Sequence, residues 1–327
     1  MLQIKLYSLN DIAKIQKKWD TQALSQSNIS QTFSWALLNH TARSTPLFLI
    51  ATDPGGNWIA NWLVFSYFVG IGRIIDIPSE PIIGHDQNIQ EVYFQMIKFL
   101  EYLRPISINW RNFGLSRLGN RDVLENNKFN IIQEYNAYIV DLNKSIESLW
   151  NSVHGKHKNN IRFAQNAGII VEETNDIESY CKLSSITYRR SGKEGPSEIE
   201  LHNFFNILFP SKMGRIFFAR YKNKIMAGAF ILCYGDRITY FKGVTANNPF
   251  RGASNLLHWE LMQLFKAEGY KVYDFGGVSL SDINTKALGI KVFKSRFGGK
   301  EAIYYGGIKE LNYFKVGIIH ILNKLNL

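Results

Sequence analysis

The 327-residue chain holds only two cysteines, Cys181 and Cys233, and no metal or redox spacing joins them. Cys233 lies in an apolar run, so both read as inert packing thiols of a reducing compartment. No apolar stretch is long enough for a membrane span: the longest, Trp58 to Ile71, alternates as a strand does. Met1 to Leu9 is too short and mixed for the apolar core of an export signal, so a soluble, cytoplasmic protein is expected. Also missing are a phosphate-binding P-loop, a Gly-x-Gly-x-x-Gly turn between strand and helix, a His-Glu-x-x-His helix and a Gly-x-Ser-x-Gly elbow. These absences argue against the enzyme classes that depend on those motifs. The seven histidines are scattered, none with a carboxylate at metal-ligand spacing. No metal is expected, and His85 and His258 read as packed or capping residues.

What the chain does have is enough apolar material for a large core. Hydrophobic residues make up 46% of it and aromatics 14%, which rules out a disordered protein. Its length suits two domains of ordinary size. The net charge of +11 is unevenly placed: residues 1–144 hold 13 Lys and Arg against 12 Asp and Glu, whereas residues 145–327 hold 25 against 15. A basic half beside a nearly neutral one points to a polyanionic ligand for the second half, such as tRNA, a phosphorylated lipid or a nucleotide. A lysine-rich composition also raises such counts without any partner.

Two stretches read as one unit used twice. In the first half Pro46 to Thr52 is a strand, Asp53-Pro54-Gly55-Gly56-Asn57 a turn, and Trp58 to Val69 a long alternating strand. In the second half Arg215 to Tyr221, Ile225 to Tyr234 and Arg237 to Val244 make a three-stranded meander, linked through Lys222-Asn223 and Gly235-Asp236. An amphipathic helix follows each, over Gln90 to Leu103 and Asn255 to Glu268, and leads to a further strand, Ile106 to Trp110 or Val272 to Phe275. Antiparallel strands, a helix and a returning strand, repeated, predict an α/β (α+β) protein of two similar tandem domains. The first is placed at 1–144 and the second at 145–307, with a C-terminal helix over 308–327 completing the first. Phe314, Ile318, Ile319 and Leu322 give that helix an apolar face. The face packs on the first domain or touches a membrane.

The chemistry concentrates between Tyr273 and Gly299. Tyr273-Asp274-Phe275-Gly276-Gly277 reads as a short buried strand opening into paired glycines, and Phe293-Lys294-Ser295-Arg296-Phe297-Gly298-Gly299 sets two cations among aromatics before a second pair. Paired glycines let the backbone bend sharply and approach a ligand closely. With a fixed cation alongside they suit the binding or polarisation of an acyl or phosphate group; as plain punctuation they are two turns flanking a helix. A second candidate is Arg251-Gly252-Ala253-Ser254 at the start of a helix, whose free N–H groups form an anion site. Ser254 also reads as a simple N-cap. A third is a helix predicted over Ile146 to Ala167 and ended by Gly168, in which His154, Lys158 and Arg162 line up at i, i+4 and i+8. That stripe tracks a phosphate backbone or is merely a solvated face.

Together these residues resemble the FemABX-type superfamily, in which two GNAT-like domains stand in tandem. The resemblance rests on Trp150 with the basic Lys158–Arg162 helix and Gly168, on Ala227-Gly228 and on Arg251-Gly252 to Trp259. It continues in Tyr273-Asp274-Phe275-Gly276-Gly277 and Phe293-Lys294-x-x-Phe297-Gly298. It is looser in the first half, in Gln31-x-x-x-Trp35 and in Ile77-Pro78-Ser79-Glu80-Pro81, where Glu80 replaces the family's glycine. The chain departs from peptidoglycan-bridge enzymes at Leu38-Asn39-His40, where they tend to carry a lysine, and at Ile108-Asn109-Trp110-Arg111, where they carry an acidic residue. No helical-hairpin arm interrupts the second half, so the form without a coiled-coil arm is implied.

The resemblance implies an aminoacyl- or acyltransferase that forms an amide on a cell-envelope precursor. The donor is then aminoacyl-tRNA and the acceptor a peptidoglycan stem peptide, or the donor is acyl-CoA and the acceptor a surface-polysaccharide precursor. Either donor is a co-substrate, and no resident cofactor is expected. The family's lysine carries over onto Lys294, which would stabilise the tetrahedral oxyanion. Asp274 is the nearest carboxylate to take the proton of the attacking amine. Arg251, Gly252, Ala253 and Ser254 would hold donor phosphate, with Lys158, Arg162, Arg189 and Arg190 as a wider cationic surface. Phe293, Arg296, Gly276, Gly277, Tyr240 and Trp35 would line the substrate site. The expected partners are aminoacyl-tRNA and a nucleotide- or lipid-linked cell-wall precursor, with peripheral contact at the inner membrane face and no DNA. A non-catalytic module that binds tRNA or an anionic glycolipid is the alternative from another class.

Overall fold

Alternating apolar residues set the strands of this protein, and turn-forming pairs set their ends. The structure, a computed structural model, describes residues 2–84, 87–111, 121–192, 194–279 and 285–324; His85 and the last residues of the expected C-terminal helix lie outside them. The chain falls into two compact units, Met1–Tyr135 with Ile303–Leu327, and Asn136–Ala302.

The first unit opens with β1 (Gln3–Tyr7), α1 (Leu9–Ala13), α2 (Gln16–Ser25), α3 (Phe33–Asn39), β2 (Ser44–Thr52) and β3 (Trp58–Phe68). It continues with β4 (Arg73–Ile77), β5 (Ile82–Ile83), α4 (Ile89–Tyr102), β6 (Ser107–Trp110), α5 (Arg121–Asn126) and β7 (Asn130–Asp141). β1 to β4 pair antiparallel in chain order, and β6 joins β4 in parallel. A parallel step needs a crossover, and α4 supplies it. Val92, Met96 and Leu100 of α4 are buried with Trp62, Ile75, Ile108 and Trp110 in one core. The two looser motifs of this half meet as a polar clamp on β3. Gln31 Nε2 donates to the Leu63 carbonyl at 3.1 Å and lies 3.1 Å from Ser79 Oγ, while Gln31 Oε1 accepts the Leu63 N–H at 2.6 Å.

The second unit runs α6 (Ile146–Ser152), α7 (Gly155–Asn166), β8 (Ile170–Thr174), α8 (Ile177–Ser191), α9 (Glu198–Leu208) and β9 (Gly214–Tyr221). Then come β10 (Lys224–Tyr234), β11 (Arg237–Thr245), α10 (Ala253–Ala267), β12 (Val272–Ser279) and α11 (Thr285–Ser295). β8 to β11 pair antiparallel in chain order, and β12 joins β11 in parallel after the crossover helix α10. Lys222 and Asn223 both take positive φ, as a two-residue hairpin turn that matches strand twist requires. Ile161 and Ala164 of α7 and Leu257, Leu261 and Phe265 of α10 are buried in the core of this unit.

The single helix expected over Ile146 to Ala167 is corrected to two. Val153 turns extended, with ψ 133°, and His154 caps α7, its Nδ1 accepting the Lys156 N–H at 3.2 Å. The His154 N–H goes to the Arg296 carbonyl at 2.9 Å instead of up its own helix. Gly155 is therefore the first residue of α7. Gly168, at φ +78°, ends α7 as expected.

β13 (Lys300–Glu310) and α12 (Tyr313–Lys324) follow α11. Gly307 to Glu310 pair antiparallel with Trp110 to Ser107 of β6. The start of the helix expected over 308–327 is thus strand, because these residues complete the sheet of the first unit. The limits of the two units fall inside β7 and β13 rather than at 144 and 307. The longest described helices, α8 and α10, have 15 residues each, so the described residues contain no coiled-coil arm. No described helix is long and apolar enough to cross a membrane.

Candidate active site

β11 and β12 start side by side and then part. Their parallel register covers Arg237↔Val272, Ile238↔Tyr273 and Thr239↔Asp274 and goes no further, although both strands continue. β11 is irregular at this point: its register with β10 steps from Ile231↔Tyr240 to Phe230↔Lys242, which leaves Phe241 as a bulged residue. The paired glycines lie just beyond Asp274. They are not a turn after the strand, as the sequence suggested, but part of β12 itself. Gly276 has φ +68°, and a Cβ placed on it would stand 2.7 Å from the Tyr240 carbonyl oxygen. Only glycine fits there.

Lys294 sits in the last turn of α11, where the helix dipole favours a cation. It is 7% exposed, and its Nζ donates to the carbonyl oxygens of Gly276 and Gly277, each at 3.0 Å. An ammonium has three N–H donors, and the third has no partner among the described residues. Burial lowers the Lys294 pKa to about 8, with the Asp274 carboxylate pulling the other way. The result is a desolvated cation that still holds its proton at neutral pH. The Tyr240 ring lies 5.8 Å from it.

Asp274 is fully buried. Its Oδ1 accepts the Gly276 N–H at 2.7 Å, and its Oδ2 accepts from Arg237 Nη2 in a buried ion pair. Both oxygens are engaged, so Asp274 braces the glycine segment. His258 is the packed residue expected of it: Nδ1 lies 2.7 Å from the Tyr273 hydroxyl. Burial, aided by the Lys294 charge, holds its pKa down at about 3. Phe275, Phe293 and Phe297 surround its ring.

A cavity of about 550 Å³ lies between α7, the start of α10 and the end of α11. Lys156, Arg251 and Arg296 give it three cations, Phe293 lines it, and no acidic residue does among the described residues. Gly252, at φ +84°, is the N-cap of α10, so Ala253 and Ser254 fall inside the first turn and Ser254 is not the cap. A Cβ on Gly252 would lie 2.2 Å from the Asn160 carbonyl oxygen; the bare backbone lets α10 begin against α7. Arg251 Nε donates to Asn160 Oδ1 at 3.0 Å.

Two buried atoms of the residues lining this cavity have no hydrogen-bond partner among the described residues, Asn255 Nδ2 and His157 Nδ1. The His157 Nε2–H donates to the Phe293 carbonyl at 3.0 Å, which leaves Nδ1 an acceptor. Burial keeps that ring neutral, with a pKa of about 4. The site therefore offers a phosphate-bearing ligand three cations, one buried donor and one buried acceptor.

The wider cationic surface expected from the sequence is not gathered here. Lys158 and Arg162 stand over the Trp150 ring, 5.8 and 5.3 Å from its centre. Arg190 donates to the Ala246 carbonyl at 2.6 Å, tying the end of α8 to the residue after β11, and Arg189 is exposed beside it. None of the four lines the cavity. Trp35 is buried in α3 of the first unit. Arg237, Lys156, His157 and Asn255 were not singled out from the sequence. Arg237, His157 and Asn255 are polar residues that become buried, a signal that satisfied core residues also give, and Lys156 is an exposed lysine like many others.

Residues 153–294 match the family described as acetyltransferase (GNAT) domain. The fold is similar to that of FemX, at a TM-score of 0.78 and 14% identity, covering 93% of this chain and 98% of that one. The C-terminal domain of a putative lysylphosphatidylglycerol synthetase from Agrobacterium fabrum aligns at a TM-score of 0.61 and 12% identity, covering 95% and 97%. A tandem GNAT protein from the clavulanic acid biosynthesis pathway aligns at 0.54 and 9%, covering 95% and 98%. No curated protein matches the chain. The parted strands and the Gly252 start of α10 both fall inside the segment that matches the acetyltransferase family. The family segment and the shared fold agree with the tandem GNAT-like arrangement that the resemblance implied.

Proposed function

We propose that the protein forms an amide bond on a cell-envelope precursor, with aminoacyl-tRNA as donor and the amine of a peptidoglycan stem peptide as acceptor. The observation that carries this reading is Lys294: a buried ammonium with two N–H groups fixed by Gly276 and Gly277 and a third unengaged among the described residues. The acceptor nitrogen attacks the carbonyl carbon of the donor ester, the C–N bond forms, and the C=O electron pair moves onto oxygen. Lys294 donates its third N–H to that oxyanion, in a site where desolvation strengthens the interaction. Collapse breaks the ester C–O bond. The amine proton passes to the leaving ribose oxygen, directly or through water, since Asp274 is held by Arg237 and Gly276.

Phosphates of the donor would lie in the cavity beside Arg251, Lys156 and Arg296. The excess of cations in residues 145–327 supports an RNA donor. The fold shared with FemX and with a lysylphosphatidylglycerol synthetase domain supports aminoacyl transfer. The GNAT match over residues 153–294, with Arg251 and Gly252 at the start of α10, favours a second reading, an acyl-CoA donor held by its pyrophosphate.

Single-turnover transfer separates the two. A labelled aminoacyl-tRNA pool and labelled acetyl-CoA are each offered with a cell-wall precursor extract to wild type and to Lys294→Ala. Lysine-dependent movement of label from tRNA is the expected result. Movement from acetyl-CoA alone selects the second reading, and movement from neither overturns both.

A further inference from the structure

One end of the first unit gathers exposed aromatics and cations from three segments of chain. β3 and β4 form a hairpin in which Phe68 faces Arg73. Ile106, shortly after α4, donates its N–H to the Arg73 carbonyl at 2.7 Å, and its own carbonyl accepts the Leu311 and Asn312 N–H groups at 2.9 and 3.1 Å. These bonds hold the hairpin, the end of α4 and the start of α12 together. Lys315 reaches back over the hairpin, its Nζ 3.7 Å from where a Cβ on Gly72 would stand. On this frame Phe68 is 69% exposed, Tyr102 80%, Tyr313 76% and Phe314 80%. Arg73 and Arg104 are exposed as well, and neither they nor Lys315 form an ion pair among the described residues. Glu101, beside Tyr102, is already held by Lys98 and Lys309.

A lone exposed apolar side chain is ordinary; four large aromatic ones at one end of a unit, interleaved with free cations, are not. Aromatic rings settle at the boundary between lipid headgroups and acyl chains, and Arg or Lys beside them meets lipid phosphate. We infer that this end of the first unit docks on an anionic lipid surface. Tyr313 and Phe314 enter the headgroup boundary, and Arg73, Arg104 and Lys315 pair with phosphates. The inference is independent of the donor and of the chemistry at Lys294.

The test is sedimentation of the full chain with vesicles of pure phosphatidylcholine or of an equimolar mixture with phosphatidylglycerol, in rising salt. The second half of the chain is basic, so preference for anionic vesicles does not by itself isolate the patch. The variants do. Tyr313→Ser with Phe314→Ser is expected to lower partition into anionic vesicles about tenfold. Arg73→Gln with Arg104→Gln should lower it severalfold and flatten the salt dependence, while Lys222→Gln with Lys224→Gln on the β9–β10 hairpin leaves it unchanged. A Phe314→Trp variant reads insertion directly, by a blue shift of emission and quenching by brominated lipid. Far- and near-ultraviolet circular dichroism confirms that each variant is folded. Equal partition of wild type and both patch variants, or a Phe314→Trp emission unmoved by vesicles, overturns the inference. So does a lipid-free dimer in sedimentation velocity that Phe314→Ser dissolves, which would assign the patch to a second copy of the chain.

Discussion

Asp274 holds Gly276 through a 2.7 Å hydrogen bond from the glycine N–H to Oδ1, while Arg237 holds the other carboxylate oxygen. The two contacts fix the course of β12 where it leaves β11, and so fix the Gly276 and Gly277 carbonyls that receive Lys294. The cation of the site is therefore only as well placed as a buried ion pair one step removed from it.

Removing the ammonium tests the chemistry most directly. Lys294→Ala is expected to lower kcat by about 10² to 10³, the usual loss when one preorganised oxyanion donor goes. The circular dichroism spectrum should not change. Turnover within a few-fold of wild type would remove Lys294 from the mechanism.

Titration of the same group sets a pH limb. The protonated form donates, so kcat should fall as pH rises through about 8, with the loss of one proton. In Lys294→Arg that limb should move well above pH 8 even if kcat drops, because a guanidinium keeps its proton. A limb that stays in place belongs to another group. The sign for stability is opposite: the folded pKa of about 8 lies below the ordinary 10.5, so the unfolded chain holds the extra proton between them. Stability from this group rises across that window, and the cost of burying its charge is fully present below pH 8. Urea unfolding of Lys294→Met should lack that alkaline rise.

The Arg237–Asp274 pair is 4% and 0% exposed, and breaking a buried pair leaves an uncompensated charge. Arg237→Met or Asp274→Ala alone should cost about 3 to 5 kcal/mol in denaturant unfolding. Arg237→Met with Asp274→Leu should recover much of that stability yet restore little turnover, because the brace on Gly276 is still missing. Recovery of turnover in the double variant would show that the pair serves stability alone.

Much of this was legible in local pattern. The Val92, Met96 and Leu100 stripe announced α4, the Lys222-Asn223 and Gly235-Asp236 pairs announced the meander, and the spacing of glycines and lysine brought Gly276, Gly277 and Lys294 together. What stayed hidden depends on partners distant in sequence. Gly155 weakens the helix expected over Ile146 to Ala167, but the break itself depends on the His154 N–H being claimed by the Arg296 carbonyl. Arg237 meets Asp274 only through the parallel register of β11 and β12. His157 and Asn255 look like core polar residues until a cavity is seen beside them.

That cavity makes a separable prediction. Arg251→Gln and Arg296→Gln should each raise KM for the donor several-fold with a smaller effect on kcat, the pattern of lost ground-state binding. The increase should shrink at high ionic strength, where charge contributes less to wild-type binding. A change confined to kcat would place these arginines nearer the reacting carbonyl than the geometry does.

Two glycine-to-alanine substitutions give the last test, with opposite signs from the same chemical change. Gly289 lies in α11, is exposed, and a Cβ there would meet nothing within 4 Å. Gly289→Ala should therefore stabilise the protein by about 0.5 to 1 kcal/mol, since alanine loses less conformational freedom in a helix. Gly276 has φ +68°, and its Cβ would meet the Tyr240 carbonyl at 2.7 Å. Gly276→Ala must either strain the backbone or push β12 from β11, at a cost above about 1 kcal/mol. Any shift of β12 carries the Gly276 and Gly277 carbonyls away from Lys294, so turnover should fall with stability in this variant. Thermal midpoints and kcat of both variants, measured together, decide it. If Gly276→Ala keeps wild-type kcat while losing stability, the placement of Lys294 does not depend on the course of β12, and the brace formed by Asp274 is structural only.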